Sequence, residues 1–183
     1  MRKVIRKWFW VWQFEKEVQW LNEMAAKGLG LVSVSFAKYE FEECEPGEYV
    51  YQLELLEHDL RHVESQQYLQ FLEETGVEHV GSYIRWVYLR KKRELGEFKL
   101  FSDYSTKIKH LDRIMMLMTP FFFLNLYNFS WNFRVGIQDE YFISPMNLFT
   151  SFLCLAVTLL LGYGMLTIGL LRRKLKKEAQ LFE

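Results

Sequence analysis

Residues 114–133 read IMMLMTPFFFLNLYNFSWNF, and residues 146–171 read MNLFTSFLCLAVTLLLGYGMLTIGLL. Neither stretch contains Asp, Glu, Lys or Arg. A hydrocarbon core about 30 Å thick needs roughly 20 helical residues to cross. The two stretches therefore predict two transmembrane helices, and the short connection between them predicts an antiparallel hairpin.

Positive charge flanks the hairpin on the side away from its connecting loop. The basic residues there are Lys107, Lys109, Arg113, Arg172, Arg173, Lys174, Lys176 and Lys177. The loop, residues 131–145, instead offers aromatic residues such as Tyr141 and Phe142, which suit the opposite headgroup layer. By the positive-inside rule, the sequence predicts a multi-pass membrane protein with cytoplasmic N- and C-termini.

Four segments follow from these boundaries. Residues 1–105 are predicted to form a cytoplasmic domain, residues 106–113 a basic juxtamembrane linker, residues 114–171 the hairpin, and residues 172–183 a basic tail. The apolar segment near the N-terminus, residues 8–12, is too short for a secretory signal peptide and is assigned to the folded domain. Because thiols stay reduced in the cytoplasm, Cys44 and Cys154 are predicted to be unpaired.

The charge of the predicted cytoplasmic domain argues against one class of partner. Residues 1–105 hold 14 Lys plus Arg and 18 Asp plus Glu, a net charge of −4. Proteins that bind nucleic acid need clustered positive charge to neutralise phosphates. The sequence therefore predicts no nucleic-acid partner.

Two similar halves are visible in this domain. The helical segment that contains Trp20-Leu21 ends at Gly28, and the one that contains Tyr68-Leu69 ends at Gly76, at one constant offset. An apolar strand follows each helix, at residues 31–41 and 80–89, and further strands are predicted at residues 3–12, 48–56 and 98–101. A hairpin turn is predicted around Pro46 and Gly47. The order predicts an α+β fold, a ferredoxin-like βαββαβ domain with one four-stranded antiparallel sheet and both helices on one face.

Aromatic residues are predicted on both faces of that sheet, although the helices cover only one. These residues are Trp8, Trp10, Trp12, Tyr39, Tyr51, Trp86 and Tyr88. An uncovered aromatic face of several hundred Å² is a binding surface or a liability. We therefore predict that a second copy, a protein partner or a flat apolar ligand covers it, with packing in the core as the alternative.

Catalytic and metal-binding motifs are weak in this sequence. His58 and His62 are four residues apart, a spacing that on a helix could hold a metal ion, but the sequence offers no clear third ligand. A solvated linker explains the segment as well. No phosphate-binding loop, nucleophile elbow or Cys-x-x-Cys pair is present. The sequence predicts no catalytic residues, no cofactor and no metal site.

Small residues recur every four positions in the second apolar stretch, at Cys154, Thr158 and Gly162. Such a stripe lets another helix approach closely. The predicted neighbour is the first apolar stretch, whose Asn125 and Asn128 are costly against lipid. A larger membrane protein is the alternative neighbour.

Several stretches resemble a bacterial family described only as a domain of unknown function, number 2812. They are residues 20–31, WLNEMAAKGLGL; residues 39–41, YEF; residues 47–51, GEYVY; and residues 100–108, LFSDYSTKI. The resemblance spans the predicted cytoplasmic domain and implies a bacterial cell membrane protein that ends in a hairpin. Because genes of this family often lie beside PadR-like repressors, it also implies an envelope-stress or drug-response setting. It supplies no catalytic residues.

Together these features predict a membrane-anchored cytoplasmic binding or regulatory module, not an enzyme. It is expected to recognise an apolar small molecule or a protein partner, or to self-associate. One alternative is an accessory subunit that packs through its hairpin against a larger transporter. The other is a metal-dependent hydrolase that uses His58 and His62.

Overall fold

A computed structural model describes residues 2–101, 103–137 and 144–182. The chain divides into two compact units, the head, Met1–Thr106, and the helical unit, Lys107–Glu183. The predicted outer-loop residues Tyr141 and Phe142 lie outside the described residues.

The head contains six strands and two helices of its own. In chain order they are β1 Lys3–Arg6, α1 Phe14–Ala26, β2 Leu29–Ser35, β3 Lys38–Glu43, β4 Tyr49–Leu55, α2 Val63–Glu74, β5 Val77–Tyr83 and β6 Trp86–Lys92. Short 3-10 turns, Val11–Gln13 and Arg93–Leu95, precede α1 and follow β6. The class is α+β, as predicted.

The head is built from two βαββ halves with the same strand order. One antiparallel sheet has the order β1-β3-β2, and the other has the order β4-β6-β5. Each half carries a register shift at the same place, between Leu31 and Ser33 in β2 and between His79 and Gly81 in β5. The pairing of the two sheets is therefore interrupted at equivalent positions, as a β-bulge would do.

The two helices end in the same way. Each is followed by a glycine in the left-handed region, Gly28 with φ +78° and Gly76 with φ +80°. A Cβ at Gly28 would also approach the carbonyl oxygen of Cys44 to 3.0 Å. The predicted helix ends are therefore confirmed, because only glycine adopts this conformation without a steric cost.

Side-chain contacts connect the two halves, because no described strand of one sheet pairs with a strand of the other. The backbone N–H of Leu31 donates to the hydroxyl oxygen of Tyr51 at 2.8 Å, and the guanidinium of Arg90 donates to the carbonyl of Leu31 at 3.1 Å. At Gly81 a Cβ would lie 3.1 Å from Cγ1 of Val34, so β2 and β5 approach closely there. Because β2 is an edge strand of its sheet, these contacts give its Leu31 backbone hydrogen-bond partners outside the strand ladder.

The second half has an apolar core between α2 and its sheet. Its buried members are Leu56, Leu69, Leu72, Val77, Val87, Leu89 and Phe98. Burial of one such side chain stabilises the fold by about 1.5–3 kcal/mol.

The predicted single four-stranded sheet is wrong. Residues 31–41, predicted as one strand, turn at Phe36 and Ala37, and residues 80–89 turn at Ile84. The predicted strand near the N-terminus ends at Arg6, and no strand forms at residues 98–101. The true hairpins are β2–β3 and β5–β6, whereas the turn around Gly47 connects the two sheets.

The helical unit contains most of α3 Tyr104–Ile137 and all of α4 Pro145–Phe182. Within it the two helices contact each other at Gly136 and Leu148, and Asp112 forms an ion pair with Arg172. Among the described helices, one segment, Pro145–Leu181, is long and apolar enough to cross a membrane, and an 18-residue window within it has a mean hydropathy of 2.1. The first predicted span, 114–133, lies in α3 and does not meet this standard, because its Pro, Asn, Ser, Tyr and Trp residues lower its hydropathy.

Candidate functional site

A buried carboxylate is the most unusual feature of the head. Glu17 lies in α1 and is only 7% exposed. It shares the buried face of the helix with Phe14, Leu21 and Met24, because residues three, four and seven apart project from one side of a helix. The amphipathic pattern of α1 therefore places an acidic side chain against the apolar interior.

Two tyrosine hydroxyls bind this carboxylate. Tyr39 of β3 and Tyr88 of β6 each donate a hydrogen bond to Oε1 of Glu17 at 2.6 Å. Both hydrogen bonds therefore converge on the same carboxylate oxygen. Because β3 and β6 are the central strands of the two sheets, both halves of the head contribute to the site.

Burial shifts the protonation equilibria of all three groups. It raises the pKa of the Glu17 carboxyl, and the hydrogen bonds from Tyr39 and Tyr88 only partly oppose the shift. Burial, followed by the charge of Glu17, raises the pKa of both tyrosines, so they remain protonated donors. Among the described residues, no cationic side chain compensates the carboxylate.

Two further aromatic rings, Trp20 and Phe9, form a shell beside Tyr39. The ring of Trp20 lies edge-on to Tyr39 at 4.9 Å between centroids, and Phe9 lies 5.6 Å from Trp20. The ammonium of Lys7 lies over both outer rings, 4.6 Å from the Trp20 centroid and 5.0 Å from that of Phe9. The outer face of the shell therefore already holds a cation through its π-electrons.

A second buried carboxylate provides a comparison within the same fold. Glu54 of β4 is buried and accepts a hydrogen bond from the Tyr68 hydroxyl at 2.6 Å. Glu17 differs from it because two hydroxyls from separate sheets converge on one of its oxygens.

Most members of the predicted aromatic surface are buried in the head. Trp8 and Trp10 are 49% and 38% exposed. The other five are buried in the head: Trp12, Tyr39, Tyr51, Trp86 and Tyr88. The seven residues therefore do not share one exposed sheet face. Tyr39 and Tyr88 meet at Glu17, whereas Tyr51 binds the backbone of β2.

Sequence reasoning missed Glu17, although a signal was present. The helical spacing of Phe14, Val18, Leu21 and Met24 or Ala25 predicts one apolar stripe on this helix. Phe14, Glu17, Leu21 and Met24 also follow a helical spacing, and this second stripe is the buried one. An acidic residue on that stripe was therefore a detectable candidate.

The histidines place their side chains together, but not on a helix. His62 is the N-cap of α2, and its Nδ1 accepts the backbone N–H of Glu64 at 3.3 Å. Nε2 of His58 lies 3.1 Å from a carboxylate oxygen of Glu64. Possible metal-ligand atoms of the three residues lie within 4.8 Å of one another, but the cluster is largely exposed. One of the nitrogens, Nδ1 of His62, already accepts the hydrogen bond that caps the helix. These contacts explain the residues as a capped helix start.

The predicted packing stripe of α4 lies partly at the contact between the two helices. Thr158 is buried, and a Cβ at Gly162 would lie 3.4 Å from the ring of Phe122 in α3. Cys154 is half-buried, and its carbonyl accepts a hydrogen bond from the Thr158 hydroxyl at 2.8 Å. Sequence reasoning missed Ser151, which is fully buried one heptad before Thr158.

One family model matches the chain, under the description Protein of unknown function (DUF2812), over residues 13–123. The match begins after β1 and the exposed tryptophans, so it omits the first part of the head, and it extends into α3. No curated protein and no solved structure matches the chain. Because the model covers more than half of the sequence, including Glu17, Tyr39 and Tyr88, the chain belongs to the family described as Protein of unknown function (DUF2812).

Proposed function

We propose that this protein is a membrane-anchored cytoplasmic binding module whose head takes up an apolar small molecule that carries a positive charge. The observation that supports this function is the Glu17 carboxylate, which is buried among aromatic rings without a cationic partner in the described residues. The ligand supplies the missing charge.

The energetic argument rests on the cost of burying a charge. Removing a carboxylate from water costs several kcal/mol unless a cation or sufficient hydrogen bonds compensate it. The raised pKa of Glu17 indicates that its two hydrogen bonds do not fully compensate this cost. A cost of this kind is common at sites that are organised for a ligand rather than for stability.

The surroundings of the carboxylate define the ligand class. Aromatic faces attract organic cations, with a contribution of about 0.5–2 kcal/mol for each contact. Phe9 and Trp20 are half-buried and form the outer wall of the site. A ligand reaches Glu17 by displacing the Lys7 ammonium from these rings, which favours a cation that is larger and less hydrated than an ammonium.

The helical unit provides the membrane anchor in this proposal. The segment Pro145–Leu181 has the length and composition of a membrane helix. Contacts of α3 with α4 at Gly136, Gly162 and Asp112 support a hairpin in which both helices cross. The basic residues outside residues 114–171 then place both termini in the cytoplasm. A small-molecule sensor at this location fits the drug-response setting that the family resemblance implies.

A matched pair of hydrophobic ions tests the ligand class. Binding of tetraphenylphosphonium and tetraphenylborate to the full-length protein in non-ionic detergent is measured by equilibrium dialysis, because the two ions have similar shapes and opposite charges. We expect the cation to bind and Glu17→Gln to weaken that binding at least tenfold, about 1.4 kcal/mol. Glu23→Gln changes an exposed carboxylate of the same helix and serves as the control.

Two results would overturn the proposal. One is equal binding of the two ions, and the other is unchanged cation binding in a folded Glu17→Gln variant. The accessory-subunit prediction has its own test. If the hairpin packs against a larger membrane protein, Gly162→Leu should release this protein from the complex. Thr158 and Gly162 already contact residues of this chain, so the small-residue stripe does not favour that alternative.

A further inference from the structure

Exposed aromatic rings form a continuous strip on the head, separate from the Glu17 site. The aromatic strip consists of Trp8, Trp10 and Phe36, and Phe36 is 60% exposed. The ring of Trp8 lies 5.3 Å from that of Trp10 and 5.0 Å from that of Phe36. Three large apolar side chains thus contact one another at the surface, although removing each of them from water would lower the free energy.

Basic residues lie beside this strip. A groove next to it is lined by Arg6, Lys7, Trp8, Ser35, Phe36, Ala37 and Lys38. Lys38 is paired with Glu40, and Lys7 lies over aromatic rings, whereas Arg6 has no acidic partner among the described residues. Positive charge is therefore concentrated here in a head that is net acidic.

We propose that the aromatic strip and the basic groove dock onto the anionic headgroup layer of a membrane. Tryptophan and phenylalanine are favoured at the membrane interface, and neighbouring Lys and Arg side chains are attracted to anionic lipids. The inference rests on the membrane anchor of the proposed function, because an anchored head remains close to a lipid surface. It does not depend on the Glu17 ligand.

Charge complementarity favours lipid over a second copy of the chain. A two-fold contact through this strip would bring Arg6, Lys7 and Lys38 of one copy near the same residues of the other. Like charges at that distance repel, whereas a layer of phosphate groups attracts all three. Attraction of this kind is worth about a fivefold change in binding for each basic residue near an anionic surface.

A fluorescent label tests the docking in the full-length chain. The two native cysteines, Cys44 and Cys154, are first replaced by Ser. A single cysteine is then introduced in the groove by Ser35→Cys and labelled with an environment-sensitive dye. Gln70→Cys, an exposed position on α2, is the matched control. The proteins are placed in nanodiscs of phosphatidylcholine alone or with one quarter phosphatidylglycerol, with and without brominated lipid as a quencher.

We expect brominated lipid to quench the dye at position 35 more strongly in anionic than in neutral nanodiscs, and to leave the dye at position 70 unchanged. Trp8→Ser with Phe36→Ser should abolish the quenching, and Arg6→Gln should reduce its dependence on anionic lipid about fivefold. Equal quenching at the two positions, or none in any nanodisc, would overturn the inference. A dye at position 35 that is shielded equally in detergent and in lipid would also overturn it and indicate a contact between copies.

The assay separates this inference from the membrane anchor. Co-purification of the protein with the nanodisc scaffold measures anchoring without the dye. A protein that stays in nanodiscs while position 35 remains in water contradicts the docking surface alone. A protein that does not enter nanodiscs contradicts both the anchor and the docking.

Discussion

Replacing Glu17 with glutamine should make the head more stable at neutral pH. The amide oxygen of the introduced glutamine can still accept the hydroxyls of Tyr39 and Tyr88, but the buried charge is removed. Each hydrogen bond to a charged group is worth about 1.5–3 kcal/mol and each neutral one about 0.5–1.5, so the two bonds lose about 2 kcal/mol. The relief of carboxylate desolvation is several kcal/mol, which leaves a net gain of about 1–3 kcal/mol.

The stability difference between the Glu17→Gln variant and the wild type should depend on pH. Folding raises the pKa of Glu17 above its ordinary value of 4.5, so the folded protein binds more protons than the unfolded chain just above that value. The free energy of unfolding of the wild type therefore falls as the pH rises from about 4.5 to the folded pKa, and is constant above it. The variant lacks this titration, so its advantage should be close to zero at pH 4 and should reach its full size near pH 8.

Urea unfolding of the full-length protein in non-ionic detergent, followed by near-UV circular dichroism, measures the difference. The Glu23→Gln variant serves again as the control, because this change affects a carboxylate that is already in water. Equal destabilisation of the Glu17→Gln variant at pH 4 and pH 8 would refute the reasoning. That result would mean that the shape and hydrogen bonding of Glu17 matter, and that its buried charge does not.

Three further changes test other parts of the structure. Tyr88→Phe removes one donor to Glu17 and should cost about 1.5–3 kcal/mol at pH 8 but less at pH 4, measured by the same urea unfolding. Ile84→Gly should raise the midpoint of thermal unfolding by several degrees, and an unchanged midpoint would contradict this. The reason is that Ile84 has a φ of +59°, a conformation that costs an L-residue about 1–2 kcal/mol. Gly136→Leu should reduce crosslinking between α3 and α4, since a Cβ there would lie 2.8 Å from Cδ2 of Leu148; undiminished crosslinking would contradict the contact.

Local sequence patterns were sufficient for much of the α+β fold. The glycines at 28 and 76 ended α1 and α2 as predicted, because their positive φ angles are local backbone properties. The similarity of the two helical segments also indicated a duplication. The prediction that the family is domain of unknown function 2812 is confirmed by the match over residues 13–123.

Two turns explain why the sheet prediction failed. The chain reverses at Ala37 and Ile84, both with positive φ, although the sequence there offers no Gly, Asn or Asp. Both residues lie in two-residue turns between paired strands, where Ser35 faces Lys38 and Tyr83 faces Trp86, and this pairing holds them in an unfavourable conformation that their own residue types do not predict. The sequence therefore predicts one long strand in place of each of the hairpins β2–β3 and β5–β6. For the same reason it predicts one βαββαβ unit in place of two βαββ repeats.

The sequence alone determined the mixed composition of the head, the ends of its helices, the duplication and the apolar character of α4, because each depends on neighbouring residues. Only the tertiary structure decided that the tyrosine hydroxyls of the two sheets meet at Glu17. Tyr39 and Tyr88 are 22 and 71 residues from it along the chain. A contact between such distant residues depends on how the two halves pack, and packing is a property of the whole fold rather than of any segment.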